Sequence, residues 1–266
     1  MAVNASSNEP QHKTPSALPF VAPCRSLPAA APLRWLARGW QDLRRAPRVS
    51  LIYGAVIVLL SWLVTGIGLK FGSYWAALVL LSGFVFIAPV LAIGLYSISR
   101  QLQQGVQPTL SRTLQELRQT LGMAMVFAIG LLVVFLLWAR AGSMVHVFFP
   151  VHANPDWSQL ATFLAIGSVI GSIFAGLTFL FSAFSLPMIC ERDTDAVTAI
   201  VTSVNAVLRN KRAMVVWVML IVGLTALGFA TALLGLGLVI PLLGHATWHG
   251  YQETIDASAW PLNALK

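Results

Sequence analysis

Five stretches of this chain run for about twenty residues or more without an Asp, Glu, Lys or Arg: 49–69, 71–99, 119–139, 157–190 and 213–252. About 20 apolar residues suffice for a helix to cross the hydrocarbon of a bilayer. Each of the first four runs therefore predicts one transmembrane helix. In the second, the helix is expected to begin near Tyr74 or Trp75. In the fourth, Pro187 marks where the helix bends or leaves the membrane. The last run holds 40 residues. As one helix it would extend roughly 60 Å, about twice the hydrocarbon thickness. It is expected to fold as a hairpin that turns near 228–235, which makes six spans. Composition agrees: 57% of residues are hydrophobic and 10% charged, against about 25% charged in soluble domains. A soluble enzyme and a disordered regulator are excluded.

Orientation is written in the cations. Fifteen of the seventeen Lys and Arg residues fall on one side of these spans, and only Lys70 and Arg140 on the other. That bias predicts cytoplasmic N- and C-termini. The net charge of +8 belongs to this asymmetry and to anionic lipid headgroups, so no nucleic-acid partner is expected. Cys24 and Cys190 both face the reducing cytoplasm on this topology, and no structural disulfide is expected.

Residues 1–32 carry six prolines among Ser, Ala and Asn. They show no helical or strand period and read as a disordered cytoplasmic tail. The membrane domain is expected over 33–252, followed by a short tail at 253–266. Within it three units recur, at about 33–100, 109–190 and 194–251. Each has an amphipathic segment, a span and a return span. The apolar stripes are Leu33, Leu36, Trp40 and Leu43; then Leu110, Leu114, Leu117 and Leu121; then Val197, Ile200, Val204, Val207 and Leu208. Their spacing is that of one helix face. Pro89, Pro187 and Pro241 recur near the cytoplasmic ends of the return spans. The fold class is thus an all-α polytopic bundle of six spans in three repeats.

Three separated motifs resemble an uncharacterised bacterial integral membrane family, domain of unknown function 2189. They are LRWLARGWQDLRRAP at 33–47 followed by SLIYG at 50–54, ERDTD at 191–195 with Ser203 and Leu208 to Asn210, and PLLGHATWH at 241–249. The resemblance spans 33–251. It implies a bacterial inner-membrane, multi-pass protein and supplies no catalytic role.

Few residues could carry chemistry. His245 and His249 stand four apart, a spacing that puts two imidazoles on one helix face. Glu191 and Asp195 follow Pro187 as His245 and His249 follow Pro241. If the repeat holds, two carboxylates and two imidazoles converge at the cytoplasmic mouth, a donor set for zinc, iron or manganese. The plainer reading is a hydrogen-bonded helix end, so no metal, haem or other cofactor is assigned. His146, His152 and Asp156 read as an interfacial outer loop. Arg34, Arg38, Arg44 and Arg45 are the headgroup candidates. Gly167, Gly171 and Ala175 form a small-residue stripe suited to close helix packing, within the bundle more than between copies. Gly235-Leu-Gly237, in apolar surroundings, suits packing too. No ionisable residue falls in the middle of a span, which disfavours proton-coupled transport. The leading functional expectation is a non-enzymatic scaffold or lipid-interacting module, alone, as a homo-oligomer or with a membrane-protein partner. The alternatives are a metal- or haem-binding protein using the histidine pair, and a carrier or channel for an uncharged or lipidic substrate. A reporter fused to either terminus should be active only in the form that works in the cytoplasm; periplasmic activity at either end would overturn the charge-based orientation.

Overall fold

A computed structural model describes residues 19–71, 92–148 and 156–263. These residues form helices and no sheet; the only β-type pairings among them are isolated bridges, Cys24 with Ile255 and Arg192 with Leu262. The helices are α1 (Ala31–Arg45), α2 (Pro47–Phe71), α3 (Ile93–Gln103), α4 (Leu110–Phe148), α5 (Trp157–Ser182), α6 (Ser185–Glu191), α7 (Ala196–Arg209), α8 (Lys211–Ala230) and α9 (Leu236–Thr254). Four helical stretches are long and apolar enough to cross a membrane: Pro47–Lys70, Leu110–Met144, Trp157–Glu191 and Lys211–Ala230. The second expected span, with Trp75 and Pro89, lies mostly outside the described residues. The stretch expected as the sixth forms α9, which follows a turn at 231–235, is not among these four and carries the polar groups described below.

Breaks fall where the backbone demands them. Proline disfavours the helical region for the residue before it, so α1 and α2 part at Ala46 (φ −127°, ψ 53°). A matching break at Asn210 (φ −115°, ψ 38°) parts α7 from α8. In the second unit the expected separate amphipathic helix does not occur; α4 runs unbroken for 39 residues. Pro187 acts upstream of itself. Lacking an N–H, it cannot bond the carbonyl four residues back, and the helix gives way at Ala183 and Phe184 before resuming as α6. Ser203 of α7 spans the gap: its hydroxyl accepts from the Phe184 amide at 3.1 Å and donates to the Leu180 carbonyl at 2.9 Å.

The apolar stripes point the opposite way from a soluble protein's. On α4, Leu110, Leu114 and Leu121 are exposed while Thr113 and Glu116 are buried. On α7, Val197 and Leu208 face out, and Thr198, Thr202 and Ser203 face in. On α1 the packed face is Ala31, Trp35, Gly39, Asp42 and Leu43; of the expected stripe Leu43 shares it, Leu36 borders it, and Leu33 and Trp40 are exposed. Trp35 is fully buried, edge-on to Trp217 at 5.6 Å and to Phe184 at 6.1 Å. Helix α1 thus packs on α9 through its buried face, while Leu33 and Trp40 of its apolar stripe stay exposed.

Two further expectations change. The disordered tail does not extend to residue 32, because 20–30 form a docked strap. The Ala22 amide donates to Thr202 Oγ1 at 3.1 Å, Arg25 N to Thr254 O at 2.8 Å, and Leu27 N to Asn210 Oδ1 at 2.8 Å. Proline-rich backbone makes few internal hydrogen bonds, so side chains of α7 and the end of α9 satisfy it. The C-terminal tail is likewise no loose end: Ile255, Ala257 and Trp260 are buried. Of the small-residue stripe, only Gly171 has a neighbour, Trp138 Nε1 at 3.9 Å from a Cβ built on it; Gly167 and Ala175 are exposed.

The close packing sits on α9 instead. A Cβ on Gly54 would lie 1.9 Å from the Gly237 carbonyl oxygen, and one on Gly39 would lie 2.7 Å from the Ala246 amide nitrogen. Gly237 is the residue whose carbonyl Pro241, inside α9, leaves without its helical donor. That oxygen lies against the Gly54 backbone, where a Cα–H can approach it. Gly54→Ala should force α2 and α9 apart and cost on the order of 2–3 kcal/mol as an overpacking defect. Gly66→Ala, with open space around it, should not. Thermal unfolding of the two variants in the same detergent separates them; equal midpoints would disprove the crossing.

Candidate functional site: a buried serine–histidine–aspartate network

Helix α3 is buried from Ile93 to Gln101 and carries Ser97, Ser99, Arg100 and Gln101. Residues two apart on a helix point about 200° apart, so Ser97 and Ser99 serve different neighbours. Ser99 joins the histidines of α9. Its Oγ lies 2.8 Å from His245 Nδ1 and donates to Asp42 Oδ2 at 2.8 Å. Ser50 Oγ of α2 lies 2.9 Å from His245 Nε2. His249 Nε2 lies 2.7 Å from the same Asp42 oxygen.

One assignment of protons satisfies every contact. Asp42 as a carboxylate accepts from Ser99 O–H and from His249 Nε2–H. Ser99, its proton committed, accepts from His245 Nδ1–H. His245 Nε2 then accepts from Ser50 O–H. The chain Ser50, His245, Ser99, Asp42, His249 thus ties α1, α2, α3 and α9 together. Ser50, Ser99 and His245 have no exposed surface. A Ser–His–Asp set invites comparison with hydrolases, but here a second serine separates histidine from aspartate. The Ser50 hydroxyl is sealed, so the geometry is that of a clamp.

The carboxylates expected beside these imidazoles lie elsewhere. Glu191, at the end of α6, accepts from Tyr251 Oη and from Gln252 Nε2, each at 2.6 Å, and from Arg192 Nε at 3.0 Å. Asp195 caps α7, accepting from the Thr198 amide at 2.9 Å. Burial works against its charged form, but the Thr198 hydroxyl and nearby amides outweigh this and hold the carboxyl below the usual range. The stabilisation it gives α7 is therefore present at neutral pH and lost in acid. The expected convergence of Glu191 and Asp195 on the histidines is corrected, for a physical reason. After Pro187 the chain leaves the helix at Arg192, whereas after Pro241 α9 continues to Thr254. The two prolines therefore do not align equivalent positions. Both nitrogens of His245 are taken by serines, and no group of three His, Cys, Asp or Glu among the described residues is set to hold a metal ion. His152 lies outside the described residues. Asp156, the N-cap of α5, accepts from the Gln159 amide at 2.7 Å.

The headgroup candidates divide. Arg34 and Arg38 of α1 both reach Glu253, the latter at 3.5 Å. Arg44 stacks over Trp40 at 5.1 Å and, like Arg45, is exposed. Neither Asp42 nor Ser99 and Ser50 were singled out from the sequence. Asp42 lay within a basic segment, and the serines carry no spacing signal because their partners are over fifty residues away.

Comparison with known proteins fits this picture. Residues 77–191 match the model of a family described as "Predicted integral membrane protein (DUF2189)". This bears out the family to which the motifs pointed, over that stretch. The motifs at 33–54 and 241–249 fall outside it, and Glu191 is its last residue. No curated protein and no solved structure matches the chain.

Asp42→Asn should lower stability by about 3 kcal/mol, the upper end of the range for a hydrogen bond to a charged group, because Asp42 accepts from both Ser99 and His249. Ser50→Ala, which removes one neutral bond, should cost about 1 kcal/mol. Thermal unfolding in detergent measures both; a neutral Asp42→Asn would show that the network does not clamp the helices.

Proposed function

We propose that this protein is a non-enzymatic, lipid-interacting module of the bacterial inner membrane. In this reading it crosses the bilayer six times in three repeats, with both termini in the cytoplasm. Support for the repeats comes from the matched breaks at Ala46 and Asn210, each between an amphipathic helix and a span. The second crossing of this reading lies outside the described residues, and α9 would complete the last hairpin.

The observation that carries the lipid reading is the fate of the cations. Arg44, Arg45 and Arg48 cluster at the first break and Arg209, Lys211 and Arg212 at the second. All six are exposed, and among the described residues none forms an ion pair with a carboxylate. Cations at the ends of apolar helices suit lipid phosphates, each worth about 1 kcal/mol near an anionic surface. Arg34 and Arg38 contribute less, since Glu253 neutralises part of their charge. The sealed Ser50 hydroxyl supports a role without catalysis. The histidine pair favours neither metal nor haem while both nitrogens of His245 are engaged.

The test is the lipid that the protein retains from a bilayer of mixed phosphatidylglycerol and phosphatidylcholine. The wild type should be enriched in the anionic lipid. Replacing the six cations by Gln should abolish that enrichment, and an unchanged enrichment would refute the reading.

A further inference from the structure

A cavity of about 440 Å³ opens on the face of α3 opposite the histidines, between α4, the end of α6 and the C-terminal tail. Ligand sites commonly fall in the range of about 300–1,000 Å³. Its polar wall includes Ser97, Arg100, Glu116, Gln119, Asp193 and Asn263. Three of these are charged, and they do not pair with one another. The Arg100 guanidinium donates to the Cys190 carbonyl at 2.8 Å and the Asn263 carbonyl at 2.9 Å. Two of its five N–H groups are used, and its charge meets no carboxylate among the described residues. Glu116 accepts from Ser97 Oγ at 2.7 Å and faces Arg112, outside the cavity wall, at 3.6 Å. Asp193 forms no ion pair among the described residues.

Arg100 and Glu116 are both buried, at 8% and 5% exposure. A buried charge that lacks a counter-ion is costly, as at Arg100, and Glu116 offsets its own burial only through the Ser97 bond and the partly exposed Arg112. An apolar occupant would leave that cost standing. An occupant with an anionic and a cationic end would offset it at both, with the anion on the free N–H groups of Arg100 and the cation between Glu116 and Asp193. Ile93 and Leu117 add apolar lining, and the cavity lies at the polar end of the apolar stretch Leu110–Met144. A bilayer crossed by that stretch would hold its phosphates near such a polar end. Guanidinium also matches phosphate oxygens in geometry.

We infer that this cavity binds a phosphate joined to a primary ammonium, as in the phosphoethanolamine headgroup, with Arg100 on the phosphate and Glu116 with Asp193 on the ammonium. The inference deepens the lipid-interacting reading by assigning a zwitterionic headgroup a site separate from the exposed cations. A primary ammonium donates hydrogen bonds to carboxylates that a trimethylammonium cannot, and such charge-assisted bonds are among the stronger ones.

The test is lipid binding by the full-length protein in detergent, followed by native mass spectrometry. Phosphatidylethanolamine should bind at least about tenfold more tightly than phosphatidylcholine of the same chains. Glu116→Gln, which keeps the size and the Ser97 bond, should bring that ratio toward one, as should Asp193→Asn at an exposed position. Competition by soluble glycerophosphoethanolamine would identify a water-soluble source of the ligand, and its failure a membrane one. Equal binding of the two lipids, or a ratio untouched by both carboxylate variants, would overturn the assignment. Glutamine at the six exposed cations should leave the ratio unchanged. Loss of anionic-lipid enrichment and loss of headgroup discrimination are therefore separate results, and either reading can fall alone.

Discussion

A helix that crosses lipid has no water along its length, so its polar side chains can only turn inward. That constraint organises the described part of this protein. Thr113 and Glu116 on α4, Thr202 and Ser203 on α7, and Ser97 to Gln101 on α3 are all buried, while Leu110, Leu114 and Leu121 of α4 and Val197 and Leu208 of α7 look out. Once polar groups are collected inside, each needs a partner. The serine–histidine–aspartate chain, the Ser203 bridge across the Pro187 break and the Arg100 contacts are local solutions to that single requirement.

Helix α9 is where these solutions meet. Its glycines let α1 and α2 approach at backbone distance, and Gly237 gains a second role because Pro241 frees its carbonyl. Its histidines reach α1, α2 and α3. Its end aligns with the N-terminal strap through Thr254 and Ile255. A helix engaged on so many sides cannot also be a simple lipid-facing span, and this is why its second half is polar despite the uncharged sequence. The same crowding explains why α3 has two chemically different faces. Ser99 completes a closed network, whereas Ser97 and Arg100 border a cavity.

Much of this was legible from residue order, and the errors share a cause. Apolar stripes at helical spacing were read at 110–121 and 197–208, but Leu110, Leu114, Leu121, Val197 and Leu208 in them face outward while Leu117, Ile200 and Val207 pack inward, because an apolar medium lets the same residue types serve both faces. The docked strap at 20–30 was hidden by its prolines, which say that a segment lacks internal bonds but not whether others supply them. Gly167, Gly171 and Ala175 looked like a packing stripe, yet Gly54, Gly39 and Gly237 make the close contacts. Spacing along one helix carries no information about which neighbour arrives.

The sequence alone determined that the chain is an integral membrane protein of helices, with its cations kept to the ends of the apolar runs. Those properties are sums over many residues and do not depend on how helices meet. Only the tertiary structure decided that His245 and His249 face Asp42, Ser50 and Ser99 and not Glu191 and Asp195. It alone placed Arg100 and Glu116 on one cavity without pairing them. Such contacts join residues far apart in the chain, and each is fixed by the angle and depth at which whole helices pack.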